Sequence, residues 1–120
     1  QYTLGLMYDH GEGVKIDYSQ AFQWYKKAAE QGYSCAQKNV GYMYHLGKGV
    51  EQDDQQAFEW TKLGAKGGCE YAQYNLGIAY EMGQGIPIDY TKALKWYKLA
   101  ADQGVISAQY LIGALYQAGK

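Results

Sequence analysis

Residues 72–104 decide the fold, and they read AQYNLGIAYEMGQGIPIDYTKALKWYKLAADQG. The same pattern occurs three times along the chain, because residues 5–40, 41–76 and 77–112 align without gaps at a period of 36. Twelve columns are identical in all three copies, and in the first copy they are Gly5, Tyr8, Gly11, Gly13, Asp17, Ala21, Trp24, Lys26, Ala29, Gly32, Ala36 and Gln37. A fixed period of this length is typical of solenoids, in which each repeat packs against its neighbours.

The alignment also predicts the domain organisation. Residues 1–4 and 113–120 continue the pattern as partial units, so residues 1–120 are predicted to form one repeat domain. Each end then carries a first helix without its second helix. Because solenoids need polar capping units, we expect a piece of a longer array or ends that associate with one another. At the last helix, expected near 106–118, the apolar residues left exposed would be Ile106, Leu111, Ile112 and Leu115.

The first half of each unit predicts a helix. In residues 34–46, Ala36, Val40 and Tyr44 recur every four positions, which places them on one face of a helix. Gly47 follows, and glycine readily takes the left-handed conformation that ends helices. The helix is therefore expected to stop at this point.

The second half of each unit predicts a second helix, at about 54–66 in the middle copy. Asp53 precedes it, and an aspartate at this position caps a helix by accepting hydrogen bonds from the first turn. Ala57, Trp60 and Ala65 are expected to face inward, with the large tryptophan beside small alanines. The tryptophans interpreted as core residues, rather than as an aromatic ligand cage, are Trp24, Trp60 and Trp96.

The repeated residues resemble the Sel-1-like repeat, a relative of the tetratricopeptide repeat. The matching positions in the third copy are Ala72-Gln73, Leu76-Gly77, Gly83, Gly85, Asp89, Ala93, Trp96-Tyr97, Ala100-Ala101 and Gly104. The middle copy departs from the pattern, with Thr61 in place of tyrosine and Gly64 in place of alanine. The resemblance implies an all-α, right-handed solenoid of antiparallel helix pairs. It also implies an adaptor that holds other proteins together.

Composition disfavours nucleic acid and membrane partners. The net charge is −1, and all 11 basic residues are lysine. Arginine is the preferred side chain for bidentate contacts to phosphate and guanine, and it is absent. No apolar run approaches the roughly 18 residues that would suggest a membrane-spanning helix. We therefore expect a protein or peptide partner, no nucleic acid and no membrane insertion.

The two cysteines, Cys35 and Cys69, occupy different columns of the repeat. This difference predicts two separate thiols rather than a disulfide. The first residues lack the basic and then apolar pattern of a signal peptide. Both observations slightly favour the cytoplasm.

Catalytic, metal and cofactor sites are not expected. The glycines of residues 11–13 lack the spacing of a phosphate-binding loop, so they predict a helix stop. Cys35 and His45 are ten residues apart on one predicted helix, about 15 Å along its axis. His10 and His45 could approach each other in neighbouring repeats, but two histidines without a fixed carboxylate make a weak metal site.

The predicted binding surface follows from the resemblance, since the first helix of each pair in tetratricopeptide-like solenoids lines the concave face. The outward positions are Tyr2, Leu6, Asp9, Lys38, Tyr42, His45, Tyr71, Tyr74, Ile78, Glu81, Tyr110 and Gln117. They vary between copies while the core columns do not, and they are rich in tyrosine, which is enriched at interfaces. Tyr42, Tyr74 and Tyr110 are expected to form a row. Packing of these tyrosines against the next unit is the alternative interpretation.

Function is therefore predicted as a non-enzymatic protein–protein interaction scaffold that binds a partner in its concave groove. Two alternatives remain open: a binder of small ligands or cell-wall fragments, and a purely structural segment of a longer array. A last expectation concerns stability. Because Ala28 and Ala100 occupy the column of Gly64 in the other copies, the substitution Gly64→Ala is expected to stabilise the domain.

Overall fold

The computed structural model describes residues 2–11 and 17–119, and this part of the chain forms a right-handed α/α solenoid, as predicted. The helices in order are α1 (Tyr2–His10), α2 (Tyr18–Glu30), α3 (Ser34–Leu46), α4 (Asp54–Lys66), α5 (Glu70–Met82), α6 (Tyr90–Asp102) and α7 (Ile106–Gln117). Each helix packs against the next, and α3 also contacts α5. Since α1 packs against α2, the expectation of a first helix without its second helix at the start of the chain is wrong. The molecule measures 46 × 27 × 24 Å. The predicted helices at 34–46 and 54–66 are confirmed residue for residue.

Aspartate caps begin the second helices. The Asp53 carboxylate accepts hydrogen bonds from the backbone N–H groups of Gln55 and Gln56, at 3.0 and 3.1 Å. Its own N–H donates to the Tyr44 carbonyl at 2.9 Å, which fixes the end of α3 against the start of α4. These contacts explain why aspartate recurs at this column.

Glycines shape the turn between paired helices. Gly47 ends α3 in the left-handed conformation, with φ of 71°. Gly49 also has a positive φ, of 73°, and a Cβ there would collide with the carbonyl of Tyr18 in the preceding repeat. The turn therefore needs glycine for its conformation and for close contact between repeats.

The core consists of alanines around a buried tyrosine. Ala21, Tyr25 and Ala28 lie at i, i+4 and i+7 on α2, and each is fully buried. Trp24 and its counterparts are only half-buried, so their predicted place inside the core is corrected to its edge. The reason is helical geometry, because the residue before Tyr25 lies about 100° away from the inward face.

Glutamine connects successive helix pairs. Gln37 at the start of α3 donates its side-chain amide to the Ala29 carbonyl at 3.1 Å. Gln73 makes the same bond to Ala65 at 3.3 Å and is buried. Since each bond satisfies a carbonyl at the end of the preceding helix, the identity of this column has a structural cause.

The cysteines form a disulfide, so the prediction of two separate thiols is wrong. Cys35 and Cys69 are bonded, with their Cα atoms 5.2 Å apart. Cys35 is the second residue of α3, and Cys69 immediately precedes α5. Consecutive first helices lie side by side, so residues in different columns still meet where these two helices begin. The pairing removes one ground on which the sequence favoured the cytoplasm, because disulfides persist in oxidising compartments.

Gly64 lies at a close contact between helices. A Cβ on Gly64 would lie 2.6 Å from the Ser34 carbonyl oxygen and 3.1 Å from the Lys38 backbone nitrogen. The column accepts alanine in the other repeats, but α4 approaches the first turn of α3 too closely here. The expectation that alanine at this position stabilises the domain is therefore corrected.

The last helix presents apolar side chains to solvent, although not all those expected. Ile106 and Tyr110 are 78% and 76% exposed. Leu115 is only 5% exposed, because it packs in one cluster with Ala93 and Tyr97 of α6. No helix in the described part of the chain combines the length and apolar character needed to cross a bilayer.

The contact at Gly64 yields a stability prediction. Gly64→Ala should lower the free energy of unfolding by about 1–3 kcal/mol, the usual cost of overpacking. Gly113→Ala is the matched control, because it also lies inside a helix but nothing lies within 4 Å of its added Cβ. The control should raise stability, by up to about 1 kcal/mol. Urea unfolding of both variants checks this, and a stabilised Gly64→Ala would show that the contact is not as close as described.

The disulfide yields a second prediction. It closes a loop across a sequence separation of 34 residues. Cys35→Ser should therefore lower the free energy of unfolding by about 3–4 kcal/mol in the absence of reductant. A reducing agent should lower the melting temperature of the unmodified chain and leave that of the variant unchanged. If the reducing agent does not change the melting temperature of the unmodified chain, the Cys35–Cys69 disulfide is contradicted.

Candidate functional site

The predicted binding residues divide into exposed and half-buried groups. Tyr42, Tyr71 and Tyr110 are 51%, 54% and 76% exposed, and Gln117 is also exposed. The half-buried ones are Tyr2, Leu6, Asp9, Lys38, His45, Tyr74, Ile78 and Glu81. These twelve residues make up the predicted binding surface, called the concave groove.

Two residues of the concave groove bond to the buried tyrosines beneath it. The Tyr25 hydroxyl donates to the Asp9 carboxylate at 3.1 Å, and the Tyr97 hydroxyl donates to Glu81 at 2.7 Å. Each bond connects the second helix of a pair to the end of its first helix. Asp9 and Glu81 therefore have a structural role as well as a place on the surface.

Two further groove residues pack on the same buried rings. The Tyr2 and Tyr25 ring centroids are 5.7 Å apart, and those of Tyr74 and Tyr97 are 6.1 Å apart. The Tyr2 hydroxyl also accepts a hydrogen bond from Asn39 of the next repeat, at 3.2 Å. Tyr2 and Tyr74 therefore pack against the core, in line with the alternative interpretation of the groove tyrosines. Tyr42 and Tyr110 are instead exposed to solvent.

Burial dominates the chemistry of the two core phenols. It raises the pKa of Tyr25 and of Tyr97 far above the ordinary value of 10.0, and the adjacent carboxylates raise both further. The hydroxyls therefore stay protonated and act as hydrogen-bond donors, which is the role that the Asp9 and Glu81 carboxylates require.

The middle repeat lacks this arrangement. Thr61 occupies the column of Tyr25 and Tyr97. His45 occupies the column of the bonded carboxylates, and Lys38 replaces the tyrosine that covers the buried ring. Burial lowers the pKa of Lys38, an effect partly offset by the nearby carboxylates of Glu70 and Asp9.

A cavity of about 200 Å³ lies beside Thr61, between α3, α4 and α5. The eleven residues that line this middle-repeat cavity include Gly41, Tyr42, His45, Thr61, Asn75 and Ile78, and also the acidic Asp54 and the aromatic Phe58. Three of them, Tyr42, His45 and Ile78, belong to the concave groove. The cavity therefore connects with the groove at the repeat that lacks a buried tyrosine.

His45 is oriented by a carboxylate. Its Nδ1 lies 3.0 Å from the Asp54 carboxylate, which also accepts a hydrogen bond from Gln52 at 2.8 Å. A carboxylate partner favours the tautomer with the proton on Nδ1, and Nε2 is then a hydrogen-bond acceptor. His45 in this tautomer can accept a hydrogen bond from a hydroxyl group.

Metal and nucleophilic chemistry find little support in the described residues. Their only group of three potential metal ligands is Cys35, Cys69 and Glu70, whose ligand atoms lie within 4.8 Å of one another. The two sulfur atoms are bonded to each other, so neither is a thiolate. Because Cys35 is in the disulfide, it has no free thiol that could act as a nucleophile with His45.

The seven helices of the described residues and the 36-residue period define a class of protein, an all-α solenoid built from repeated helix pairs. The Sel1 repeat matches residues 1–33, 36–69, 70–105 and 106–120. The chain belongs to the Sel1 repeat family, as the resemblance predicted. Proteins of this family are non-enzymatic repeat scaffolds that generally mediate protein–protein interactions.

Solved structures of relatives superpose closely. A protective antigen present in uropathogenic Escherichia coli strains is 45% identical, with a TM-score of 0.94 over 98% of this chain and 25% of that one. A Sel1 repeat protein from Oxalobacter formigenes is 43% identical, with a TM-score of 0.91 over 99% of this chain and 49% of that one. Helicobacter pylori cysteine rich protein B shares the fold at 23% identity, with a TM-score of 0.75 over 80% and 72% of the two chains.

A curated relative matches over a shorter stretch. Chitin synthase regulatory factor 3 of Schizosaccharomyces pombe is 45% identical over 40 residues, which is 33% of this chain and 4% of that protein. The chain thus spans a small part of this relative, and a quarter to a half of the first two structural neighbours.

Sequence reasoning missed the buried tyrosines and the cavity. Tyr25 and Tyr97 directly follow the tryptophan column, and their own column is not identical in the three copies because the middle repeat has Thr61. The substitution at Thr61 was visible as a departure from the repeat pattern. Tyr25 and Tyr97, which align with Thr61, are both buried. A small threonine in a column of large buried residues is the signal that could have indicated the cavity.

The buried phenols yield a prediction about pH. Because the folded-state pKa of both is raised above 10.0, their contribution to stability is complete below pH 10 and is lost as pH rises beyond it. Replacing both Tyr25 and Tyr97 by phenylalanine should reduce this alkaline loss. Urea unfolding between about pH 8 and about pH 11 measures the difference.

The same variant should be less stable near pH 8, by about 0.5–1.5 kcal/mol for each hydrogen bond removed. Tyr110→Phe, at an exposed site, is the control and should follow the unmodified chain at every pH. Parallel alkaline curves for the double variant and the unmodified chain would show that the phenols do not stay protonated in the folded state.

Proposed function

We propose that this chain is a non-enzymatic scaffold that holds a segment of a partner protein in the concave groove. The observation that carries the proposal is the placement of Tyr42, Tyr71 and Tyr110 on successive first helices, each more than half exposed. Tyrosine offers a large contact area at a low entropic cost, which suits a recognition surface.

Family membership supports the proposal at a general level, since Sel1-repeat proteins mediate protein–protein interactions. The internal repeat supports it at the level of residues. Many of the positions that pack the solenoid, such as Ala21, Ala29 and Ala36, are identical in the three copies, whereas the groove positions differ. The fold therefore does not dictate the exposed tyrosines.

Charge in the groove favours a partner of mixed character. Lys38 and His45 lie on the middle repeat, and Asp9 and Glu81 lie on the repeats that flank it. A polyanion would meet these carboxylates on both sides of the lysine. A segment with apolar anchors and both signs of charge fits the groove better.

Length limits the segment. The molecule extends 46 Å along its longest axis. An extended chain rises about 3.3 Å per residue, so roughly a dozen residues could lie along the groove. This length is typical of a linear peptide motif rather than of a whole folded surface.

The test begins with a random linear peptide library displayed on phage and selected against the chain. Selected peptides are synthesised, and their affinities are measured by fluorescence anisotropy. The double variant Tyr42→Ala with Tyr110→Ala should weaken binding by about 2 kcal/mol or more, as truncated hot-spot aromatics do. Both side chains are exposed, so the fold should be retained and circular dichroism should be unchanged.

The matched control lies on the second helices. Leu63 and Leu99 share one column of the repeat and are 51% and 39% exposed. Replacing both by alanine removes exposed apolar area outside the concave groove and should leave the affinity unchanged. Loss of binding in this control, with unchanged affinity in the tyrosine variant, would assign recognition to the second helices and overturn the proposal.

A further inference from the structure

We propose that the middle-repeat cavity binds a tyrosine side chain of the partner segment, which takes the place of the tyrosine that the middle repeat lacks. This inference rests on the proposed function and names the anchor that the groove recognises. It assigns the site to the space beside Thr61, between α3, α4 and α5.

The other two repeats identify the occupant. Tyr25 and Tyr97 are both completely buried in the position that corresponds to Thr61. Each packs against its neighbouring first helix and donates a hydrogen bond to it, at 3.1 and 2.7 Å. The same architecture thus encloses a phenol twice, and in the middle copy it leaves a cavity of about 200 Å³.

The floor of the cavity supports a flat ring. A Cβ on Gly5 or on Gly77 would lie only 2.5 Å from the ring of Tyr25 or Tyr97, so those rings rest on a glycine backbone. Gly41 is the corresponding residue of the middle repeat, and the Thr61 hydroxyl lies against it instead. Thr61 fills the base of the space and leaves its outer part accessible from the groove.

Size and polarity fit a phenol. An apolar cavity of about 150 Å³ is large enough to bind benzene, so about 200 Å³ can accept a ring with one hydroxyl. The Thr61 hydroxyl, the Asn75 amide and His45 supply polar groups on the walls. In the tautomer that donates from Nδ1 to Asp54, His45 has an acceptor at Nε2 for the phenol hydrogen.

Access comes from the groove. In the outer repeats Tyr2 and Tyr74 pack over the buried rings. The middle repeat has Lys38 in that column, and Lys38 is not among the residues that line the cavity. Lys38 therefore does not cover the cavity in the way that these tyrosines cover the other rings, and the aromatic residues in the cavity lining are Tyr42 and Phe58.

The site is tested first with p-cresol, the analogue of the tyrosine side chain, against toluene, which lacks the hydroxyl. NMR titration of the ¹⁵N-labelled chain should show saturable shifts centred on the amides of Gly41, Thr61 and Ile78. The amides of Gly5 and Gly77, at the filled positions, should move little. p-Cresol should bind in the millimolar range, near a Kd of about 1 mM, and more tightly than toluene. Three results would overturn the inference: no chemical-shift changes, changes scattered over the chain, or changes centred on another surface.

Two variants locate the response. Thr61→Tyr should fill the cavity from within and abolish the p-cresol shifts, whereas the matched control Thr61→Ser keeps the cavity and should retain them. Unchanged p-cresol binding in a folded Thr61→Tyr variant would contradict the assignment. If that variant does not fold, the ligand comparison in the unmodified chain and in Thr61→Ser still decides the outcome.

Selected peptides complete the test. They should share one tyrosine, and its replacement by alanine should weaken binding roughly thirtyfold, while replacement by phenylalanine should cost less. Thr61→Tyr should cause a similar loss. Peptides whose binding is weakened by Tyr110→Ala, which lies outside the cavity, but not by Thr61→Tyr would support recognition by the groove and refute the cavity. Peptides whose affinity is unchanged by Tyr110→Ala, in a chain that binds p-cresol beside Thr61, would support the cavity and refute recognition by the groove.

Discussion

The contact between a tyrosine ring and a glycine backbone sets the spacing of the helices in the two outer helix pairs, α1 with α2 and α5 with α6. Tyr97 lies so close to Gly77 that a Cβ on the glycine would be 2.5 Å from the ring, and Tyr25 lies equally close to Gly5. Because the ring is buried, its hydroxyl requires a partner, which Glu81 or Asp9 supplies from the end of the first helix. Packing and hydrogen bonding thus fix each outer pair together.

The middle repeat keeps the helix pair without this contact. Thr61 is too small to fill the space, and α4 instead approaches α3 through Gly41 and Gly64, where added methyl groups would meet backbone atoms. The disulfide between Cys35 and Cys69 lies near the same junction and connects the middle repeat to the next. A locally different set of contacts therefore maintains the repeat while leaving a cavity beneath the groove.

The sequence predicted much of the fold and less of the site. Glycine and aspartate columns such as Gly47 and Asp53 act through local backbone geometry, so the helix boundaries followed directly from them. The disulfide, the crowding at Gly64 and the burial of Tyr25 depend on distances between helices. An alignment of repeats does not contain those distances. Which exposed tyrosines bind a partner also depends on that partner, and the prediction for the concave groove stays a prediction.

A crystal structure of the chain soaked with p-cresol tests the central claim most directly, since it shows both the helix spacing and the occupant. We predict a ring between α3, α4 and α5, beside Thr61, with its hydroxyl bonded to a polar group of the cavity wall. Density for the ring only at other surfaces would contradict the account. So would α3 and α4 packed together so that no cavity remains beside Thr61.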